Sequence, residues 1–219
     1  MYGLLEGDLA QRRVRAYVGL GANLGDAPET LRAAVHALAA LPDYRLVGVS
    51  RLYATEPVGV TDQPEFRNAV AALDAPAGPD PANGATFLLV ALKAIEVAFG
   101  RQPRRRWGPR ELDLDLLIFG RVRLAIDRPA AGRSIEADRD PAKAARLLEV
   151  PHPGLAERLF VLAPLADLAA GLVPPGWRET VDTARRRREI AEGPTAARPI
   201  AAWDRAAGTW RELPASGSA

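Results

Sequence analysis

Residues 106–119 read RWGPRELDLDLLIF, a basic loop that runs directly into an apolar strand carrying two carboxylates. Because strand side chains alternate between faces, Asp113 and Asp115 point one way while the flanking leucines point the other. At about 3.3 Å per residue, the two Cα atoms lie roughly 6.6 Å apart. Two carboxylates at this spacing can share one or two Mg²⁺ ions, which take their remaining ligands from phosphates and water.

Arginines cluster around this carboxylate pair, and their planar guanidinium groups suit phosphate oxygens. The cluster comprises Arg101, Arg104, Arg105, Arg106 and Arg110. A D-x-D pair alone more often marks a solvated strand face, and an arginine cluster alone can be a solvated loop or a nucleic-acid patch. Together, with Trp107 as the only aromatic residue among the arginines, they favour metal-assisted chemistry on a nucleotide polyphosphate.

Composition narrows the class of protein. The chain has 219 residues, 48% of them hydrophobic, which suits one domain with appendages. Its net charge is +2, and since Lys93 and Lys143 are the only lysines, the abundance of arginine indicates a compositional bias. Without cysteine there is no disulfide framework or thiolate metal site. The sequence shows neither a signal peptide nor an apolar run long enough to span a membrane, so we expect a cytoplasmic protein.

Hydrophobic periodicity predicts the element order β-α-β-β-α-β. Asp26 caps the first helix, with Glu29 completing a capping box and Pro42 ending the helix. The Pro/Gly-rich residues 75–84 are expected to form a surface loop. The predicted strands are 14–21, 44–55, 66–73 and 112–119, and the predicted helices are 27–41 and 86–99. We therefore predict an α+β fold with a ferredoxin-like βαββαβ core, in which helices pack on a mainly antiparallel sheet.

The rest of the chain is predicted to surround this core. We expect an elaboration without clear periodicity at 121–147, a helix over 158–168 that Pro164 interrupts or begins, and an amphipathic segment at 180–192. Beyond Gly193 irregular chain is expected, disordered from Pro214. The predicted organisation is a leader at 1–13, a domain at 14–175 and a partly disordered C-terminal extension at 176–219.

Three further motifs carry candidate ligand-binding groups. Residues 19–25 read GLGANLG, which fails the G-x-G-x-x-G spacing, so we expect turn chemistry with Asn23 as a candidate for presentation to a ligand. His152 lies between two prolines, a rigid frame that suits a phosphate donor, although a lone histidine is more often structural. Phe66 and Asn68 share a strand face and suit a flat heterocycle, although sheet packing alone would also explain Phe66.

Taken together, these motifs resemble the 6-hydroxymethyl-7,8-dihydropterin pyrophosphokinase family, folate-pathway enzymes that move a diphosphate from ATP to a pterin. The resemblance covers about residues 14–120 and 148–175. Its most specific part is RWGPR at 106–110 followed by Asp113 and Asp115. The supporting segments are GLGANLG at 19–25, TEPVG at 55–59, residues 63–68 from Gln63-Pro64 to Asn68, and VPHP at 150–153.

The resemblance implies a role for each matching residue. As catalytic residues it implies Arg101, Arg110, Asp113 and Asp115, the two aspartates holding two Mg²⁺ ions with ATP. The implied ATP-binding residues are Arg106, Trp107, Arg110, His152 and Arg158. The implied pterin-binding residues are Thr55, Val58, Phe66, Asn68, Glu96 and Phe160, the two phenylalanines sandwiching the ring. The implied activity is that of an ATP-dependent diphosphotransferase, which gives the pterin diphosphate and AMP.

Two alternatives stay open from the residues alone. A D-x-D glycosyltransferase would use a metal-bound nucleotide sugar and would bind no pterin. A ferredoxin-like RNA-binding module would grip phosphates with its arginines and stack a base on Phe66, in a salt-sensitive manner that needs no Mg²⁺. The resemblance instead implies ATP and hydroxymethyl-dihydropterin as ligands, no nucleic acid and no membrane, and other folate-pathway enzymes as candidate partners.

Overall fold

The computed structural model describes residues 12–57, 59, 62–102, 108–129 and 146–214. Within these ranges the strands are β1 (Arg13–Ala22), β2 (Arg45–Val49), β3 (Leu52–Thr55), β4 (Phe66–Pro76), β5 (Asp113–Phe119), β6 (Leu124–Asp127), β7 (Arg146–Val150), β8 (Ala197–Asp204) and β9 (Thr209–Glu212). The helices are α1 (Ala27–Ala39), α2 (Pro81–Ala98), α3 (Leu159–Ala169) and α4 (Val181–Glu192). The predicted mixture of helices and antiparallel sheet is confirmed.

The main sheet has seven strands in the order β5-β1-β4-β3-β8-β9, with β2 beside β4. All of its described pairs are antiparallel, and β6 and β7 form a separate antiparallel pair. Helices cover both faces of the sheet. α1 and α2 pack on the face that carries Leu20 and Leu114, while α3 and α4 pack on the face that carries Tyr17 and Ile118. Alternate side chains of each central strand therefore enter one of two apolar cores.

The predicted cap of α1 is present. The Asp26 carboxylate accepts a hydrogen bond from the Glu29 amide at 3.1 Å, which satisfies one of the free amides of the first turn. The Glu29 carboxylate pairs with Arg32 one turn further on rather than completing the predicted capping box. The helix ends at Ala39, before Pro42.

The loop predicted at residues 75–84 is shorter than expected and comprises residues 77–80, because regular structure enters the predicted range from both sides. β4 extends past its predicted end, and α2 begins early at Pro81. Asp80 caps α2 by accepting from the backbone amide three residues on, at 2.9 Å, and proline suits the first helical position. A Cβ on Gly84 would lie 2.3 Å from a backbone oxygen of the preceding loop, so glycine permits this close approach.

The predicted second strand, 44–55, is divided into β2 and β3 at Ser50. The Ser50 hydroxyl accepts from the Val70 amide at 2.9 Å, and the Ser50 amide donates to the Val70 carbonyl at 2.9 Å. The Arg51 amide turns away and donates to Asp167 on α3 at 3.0 Å. Both short strands still pair with β4, so the break bends the chain without changing the strand order.

The prediction of irregular chain beyond Gly193 is wrong as far as residue 214. β8 pairs with β3 and β9 pairs with β8, so this segment extends the main sheet. Trp203 and Trp210 face each other across the hairpin with their ring centroids 4.8 Å apart. Residues 215–219, predicted to be disordered, lie outside the described residues.

Two further predictions change. Pro164 lies inside α3 and neither begins nor interrupts it. Burial of Leu162 and Leu165 against the sheet outweighs the cost of about 3 kcal/mol that a proline imposes on a helix interior. In the elaboration predicted at 121–147, β6 and β7 are regular and paired, and residues 130–145 lie outside the described residues.

α2 is long and apolar enough to cross a membrane by length and composition alone, contrary to the expectation from the sequence. The core helix of a folded domain satisfies the same criteria. In the structure, Leu88 and Leu92 of this helix are fully buried in the core, and Glu96 is buried beside β5. One face of the helix therefore packs in the core, while Phe87, Val90 and Val97 are exposed. A single such helix is weak evidence for a membrane span.

Candidate active site

The floor of one cavity is a row of side chains that crosses four neighbouring strands. Thr55 of β3 lies opposite Phe66 of β4 in the sheet register. Two residues along β4, Asn68 lies opposite Gly21 of β1, which in turn lies opposite Asp113 of β5. These five residues line a cavity of about 240 Å³. Antiparallel pairing therefore joins the predicted heterocycle-binding residues to the predicted metal-binding strand.

Two glycines of β1 leave the floor open. Gly19 lies opposite Asp115 and Gly21 opposite Asp113, so no side chain of β1 stands between the carboxylates and β4. A Cβ on Gly21 would lie 3.2 Å from Oδ1 of Asn68, tighter than an ordinary contact. The Asn68 amide nitrogen is held by a 2.7 Å hydrogen bond to the Thr55 hydroxyl, and both side chains are buried. Gly19 and Gly21, predicted only as turn residues, therefore also leave room for the cavity.

The N-terminal end of α3 forms the roof. Phe160 and Arg158 both line the cavity, opposite the strand that carries Phe66. The Arg158 guanidinium lies 5.8 Å from the centre of the Phe160 ring. A Cβ on Gly154 would lie 2.7 Å from this guanidinium, so a larger residue at this position would displace the Arg158 side chain from its present place. One aromatic ring on each side of the cavity suits a flat ligand between them.

Most of the predicted site residues meet here. Those that line this one cavity are Thr55, Phe66, Asn68, Arg101, Arg110, Asp113, Asp115, Arg158 and Phe160. The predicted residues Val58, Arg106 and Trp107 lie outside the described residues, as do Arg104 and Arg105. The residues that sequence reasoning missed in the lining are Gly21, Glu56 and Gly108. Each of the three lies in a quoted motif, Gly21 in GLGANLG, Glu56 in TEPVG and Gly108 in RWGPR, but none of them was given a role in the site.

The carboxylate pair has the predicted geometry. Asp113 and Asp115 both line the cavity, while Leu114 between them is fully buried on the opposite face. Oδ1 of Asp113 lies 2.8 Å from Nη1 of Arg101 and 3.0 Å from Nη1 of Arg110. The two arginines therefore neutralise this carboxylate and stand at the cavity at the same time.

Glu96, predicted as a pterin-binding residue, lies beside the carboxylate strand and is 2% exposed. Its Oε1 accepts from Lys93 Nζ at 2.7 Å and from the Leu114 amide at 2.7 Å, and it also pairs with Arg101. Lys93 in turn donates to the Leu114 carbonyl at 2.9 Å. This network, in which Glu96 is buried and Lys93 is partly exposed, holds the backbone between the two aspartates. Lys93 was missed by sequence reasoning, and its only signal is the i, i+3 spacing from Glu96.

Positive groups keep Asp115 ionised. Burial alone would raise the pKa of this carboxyl, but the adjacent His152 imidazole and the positive charges of Lys93, Arg110 and Arg158 outweigh it and lower the pKa below its usual range. The group is therefore an anion at neutral pH. An anionic, partly exposed oxygen donor at a cavity wall is a suitable ligand for a hard cation.

His152 lies next to this carboxylate, beside the cavity lining rather than within it. Burial lowers the pKa of its imidazole against the opposing effect of the Asp115 charge, so the ring is neutral at pH 7. Its Nδ1 accepts from the Gly154 amide at 3.1 Å, which leaves the ring proton on Nε2. Its own amide donates to the Leu117 carbonyl at 2.8 Å, which ties it to β5.

Asn23, considered a candidate for presentation to a ligand, instead joins two loops and is 4% exposed. Its amide nitrogen donates to Gln63 Oε1 at 3.0 Å and to the Pro64 carbonyl at 3.1 Å. Its Oδ1 accepts from the Arg110 amide at 2.8 Å. The side chain therefore links the loop before Phe66 to the loop that carries Arg110.

The donor set fits divalent cations that are bound together with a phosphate ligand. In the described part of the chain, no group of three or more His, Cys, Asp or Glu side chains could hold a metal ion by itself. Asp113 and Asp115 offer oxygen donors on one face, and Mg²⁺ commonly takes only one or two carboxylates, with water and phosphate oxygens completing its shell.

Comparison with known proteins identifies relatives over most of the chain. The sequence model of the 7,8-dihydro-6-hydroxymethylpterin-pyrophosphokinase (HPPK) family matches residues 17–170. The 2-amino-4-hydroxy-6-hydroxymethyldihydropteridine pyrophosphokinase of Pseudomonas aeruginosa is 44% identical over 164 residues, covering 75% of this chain and 86% of that protein. The Methylorubrum extorquens enzyme of the same name is 40% identical over 167 residues, covering 76% and 89%.

Longer proteins also contain a similar region. The mitochondrial folate synthesis bifunctional protein of Arabidopsis thaliana is 37% identical over 156 residues, which are 71% of this chain and 24% of that protein. A crystal structure of Plasmodium falciparum HPPK-DHPS with pteroate superposes with a TM-score of 0.65 at 16% identity, covering 94% of this chain and 50% of that one. The chain thus spans about half the length of that solved protein, and the likeness concerns the fold.

Proposed function

The chain belongs to the 7,8-dihydro-6-hydroxymethylpterin-pyrophosphokinase family. From this membership we propose that it transfers a diphosphate from ATP to the hydroxymethyl group of 6-hydroxymethyl-7,8-dihydropterin and releases AMP. One observation carries the proposal beyond the family name. The carboxylate pair, three arginines, two aromatic rings and the Asn68–Thr55 hydrogen bond all line a single cavity. A glycosyltransferase or an RNA-binding module does not account for the family match.

The cavity divides into two chemical halves. Thr55 and Asn68 offer hydrogen-bonding groups at the floor, between Phe66 and Phe160. This half suits the pterin, whose flat ring has donors and acceptors along its edge. An aromatic pair contributes about 0.5–1.5 kcal/mol beyond the area it buries, so orientation depends on the buried amide and hydroxyl.

The other half suits phosphates. Arg101, Arg110 and Arg158 surround Asp113 and Asp115, and each guanidinium can donate two parallel hydrogen bonds to phosphate oxygens. The Nε2 proton of His152 is available as a further donor beside Asp115, because Nδ1 is occupied by the Gly154 amide. We assign Asp113 and Asp115 as ligands of two Mg²⁺ ions, which supply charge neutralisation of the triphosphate when bound.

Positioning is the main contribution of the protein to this reaction. Attack of a primary alcohol on a phosphoryl group needs alignment and charge neutralisation rather than covalent help. Holding two substrates in line can supply on the order of 7–11 kcal/mol of the barrier. The register that places Asn68 opposite Gly21 and Gly21 opposite Asp113 sets the two halves side by side, so that a pterin in one half would lie next to phosphates in the other.

Incubation with ATP, Mg²⁺ and hydroxymethyl-dihydropterin tests the proposal. AMP and the pterin diphosphate should appear together in equal amounts, and nothing should form when either the pterin or Mg²⁺ is omitted. The Asp115→Asn protein, purified in parallel, controls for contaminating kinases. Release of ADP instead of AMP, or turnover of a nucleotide sugar without pterin, would contradict the proposal.

We also infer a ferredoxin-like core, domain limits near 14–175, a cytoplasmic location and folate-pathway partners. The strand order β5-β1-β4-β3, with α1 after β1 and α2 after β4, supports the core topology. The family match at 17–170 supports the domain limits, although β8 and β9 belong to the same sheet. The bifunctional relatives support partners that act on the same pathway.

A further inference from the structure

A carboxylate of α3 joins the helix that forms the roof of the cavity to a strand of its floor. Asp167 of α3 accepts hydrogen bonds from the Arg51 amide at 3.0 Å and from Arg51 Nε at 3.1 Å. The Tyr53 hydroxyl donates to both oxygens of the same carboxylate, at 3.0 and 3.1 Å. Tyr53 is 3% exposed and the Asp167 side chain 15%. We call these three residues the Asp167 cluster.

The cluster is connected along the chain to both walls of the cavity, through β3 to Thr55 and through α3 to Phe160. Tyr53 precedes Thr55 by two residues on β3, so both side chains point to the same face of the sheet. Asp167 follows Phe160 by seven residues on α3, which places both on one side of the helix. The cluster therefore joins the strand bearing Thr55 to the helix bearing Phe160.

Directional bonds are needed here because apolar packing alone does not set the position of a helix along its axis. Leu162 and Leu165 of α3 pack into the core beneath it, and such contacts are non-directional. The carboxylate accepts from a backbone amide, a guanidinium and a phenol, whose directions are mutually fixed. Burial and the Asp167 charge raise the pKa of Tyr53 far above its ordinary value, so its hydroxyl stays a donor throughout the working pH range.

We propose that the Asp167 cluster is a positioning device that sets the width of the pterin slot between Phe160 and the floor at Thr55 and Phe66. The inference rests on the proposed function. It assigns to Tyr53 and Asp167 a larger influence on pterin affinity than on ATP affinity. Of the three arginines that line the cavity, only Arg158 adjoins α3, whereas Arg101 and Arg110 come from a different part of the chain.

Tyr53→Phe is the decisive variant, because it removes one hydroxyl and keeps the buried ring. With Mg²⁺ and a non-hydrolysable ATP analogue present throughout, calorimetry should show the pterin Kd raised by about threefold to tenfold, which is less than the full effect of one lost hydrogen bond to a charged group. The Kd of the ATP analogue should change less than twofold. Asp167→Ala should raise the pterin Kd further, and if that protein fails to fold, Tyr53→Phe alone decides the question.

Asp74→Ala is the matched control. Asp74 is also 15% exposed and pairs with two arginines, Arg15 and Arg45, but it lies eight residues along β4 from Phe66, roughly 26 Å away. It should lower Tm and leave the pterin Kd within twofold of wild type. If Tyr53→Phe lowers Tm and leaves the pterin Kd unchanged, the cluster is merely structural and the inference is overturned. Wild-type protein that binds no pterin would overturn the proposed function instead.

Discussion

Replacing Glu96 with glutamine tests whether this residue acts by touching the pterin or by holding the strand that carries the aspartates. Glutamine keeps the volume and one acceptor oxygen, so the Leu114 amide retains its hydrogen bond. The negative charge is lost, while Lys93 and Arg101 remain beside the buried site. We expect a large loss of stability and a small change in pterin affinity.

The magnitude follows from three contacts. Glu96 accepts from Lys93, from the Leu114 amide and from Arg101. A hydrogen bond to a charged group contributes about 1.5–3 kcal/mol and a neutral one about 0.5–1.5 kcal/mol, so three contacts lose about 3 kcal/mol in total. For a chain of this size, 1 kcal/mol shifts Tm by about 2–4 °C, so the variant should melt about 6–12 °C lower.

Calorimetric melting at pH 7 measures the stability effect, and steady-state kinetics measure the KM for each substrate. Glu179→Gln is a matched control, because Glu179 pairs with Arg187 at the surface, where the two side chains are 33% and 54% exposed. A surface pair contributes about 0–1 kcal/mol to stability, so this control should lower Tm by less than about 4 °C.

The contacts of Glu96 also predict which kinetic constant changes. Since Glu96 is outside the cavity lining and bonds the backbone between the two aspartates, kcat should fall while the pterin KM stays within about threefold. A Tm within 2 °C of wild type together with a tenfold rise in the pterin KM would refute this reasoning and would restore Glu96 as a substrate-binding residue.

Three further predictions concern the cavity itself. Asp115→Asn should reduce turnover by at least about 1,000-fold with an unchanged circular dichroism spectrum, and retained activity would count against the metal assignment. Arg110→Ala should lower kcat by about 100-fold and change the pterin KM less than threefold. The Arg110 amide keeps its hydrogen bond to Asn23, and only the guanidinium that neutralises developing charge is lost. Equal losses in binding and rate would contradict this role. Because burial lowers the pKa of His152 below 6.5, the folded state favours the neutral ring, so stability is lost as pH falls below that value. In urea titrations across this range, His152→Gln should therefore lose less stability than wild type or His36→Gln, the variant of the only other histidine.

Local patterns in the sequence were sufficient to predict many of the helices and strands. The cap at Asp26 and the spacing of apolar residues in α1 and β5 are properties of a few neighbouring residues. Predictions failed where distant contacts override local preference. Part of the loop predicted at 75–84 is strand and helix instead, since its first residues pair with β1 and its last residues form the start of α2. The strand predicted at 44–55 bends because the Arg51 amide donates to Asp167, far along the chain.

The same division applies to the site. The spacing of Asp113 and Asp115 determines that both carboxylates share one face, since alternation is intrinsic to a strand. Nothing local predicts that Glu96 lies beside them rather than in the cavity, or that Asn23 joins two loops instead of facing a ligand.

By itself, then, the sequence determined the chemistry of this protein: which side chains carry charge, which are aromatic and which share a face of one strand. Only the tertiary structure decided their arrangement, by setting Thr55, Asn68, Gly21 and Asp113 side by side across four strands. The physical reason is that register and helix placement depend on pairing and burial between distant segments. Periodicity within a segment determines which of its faces is buried, but it does not determine which distant segment that face packs against.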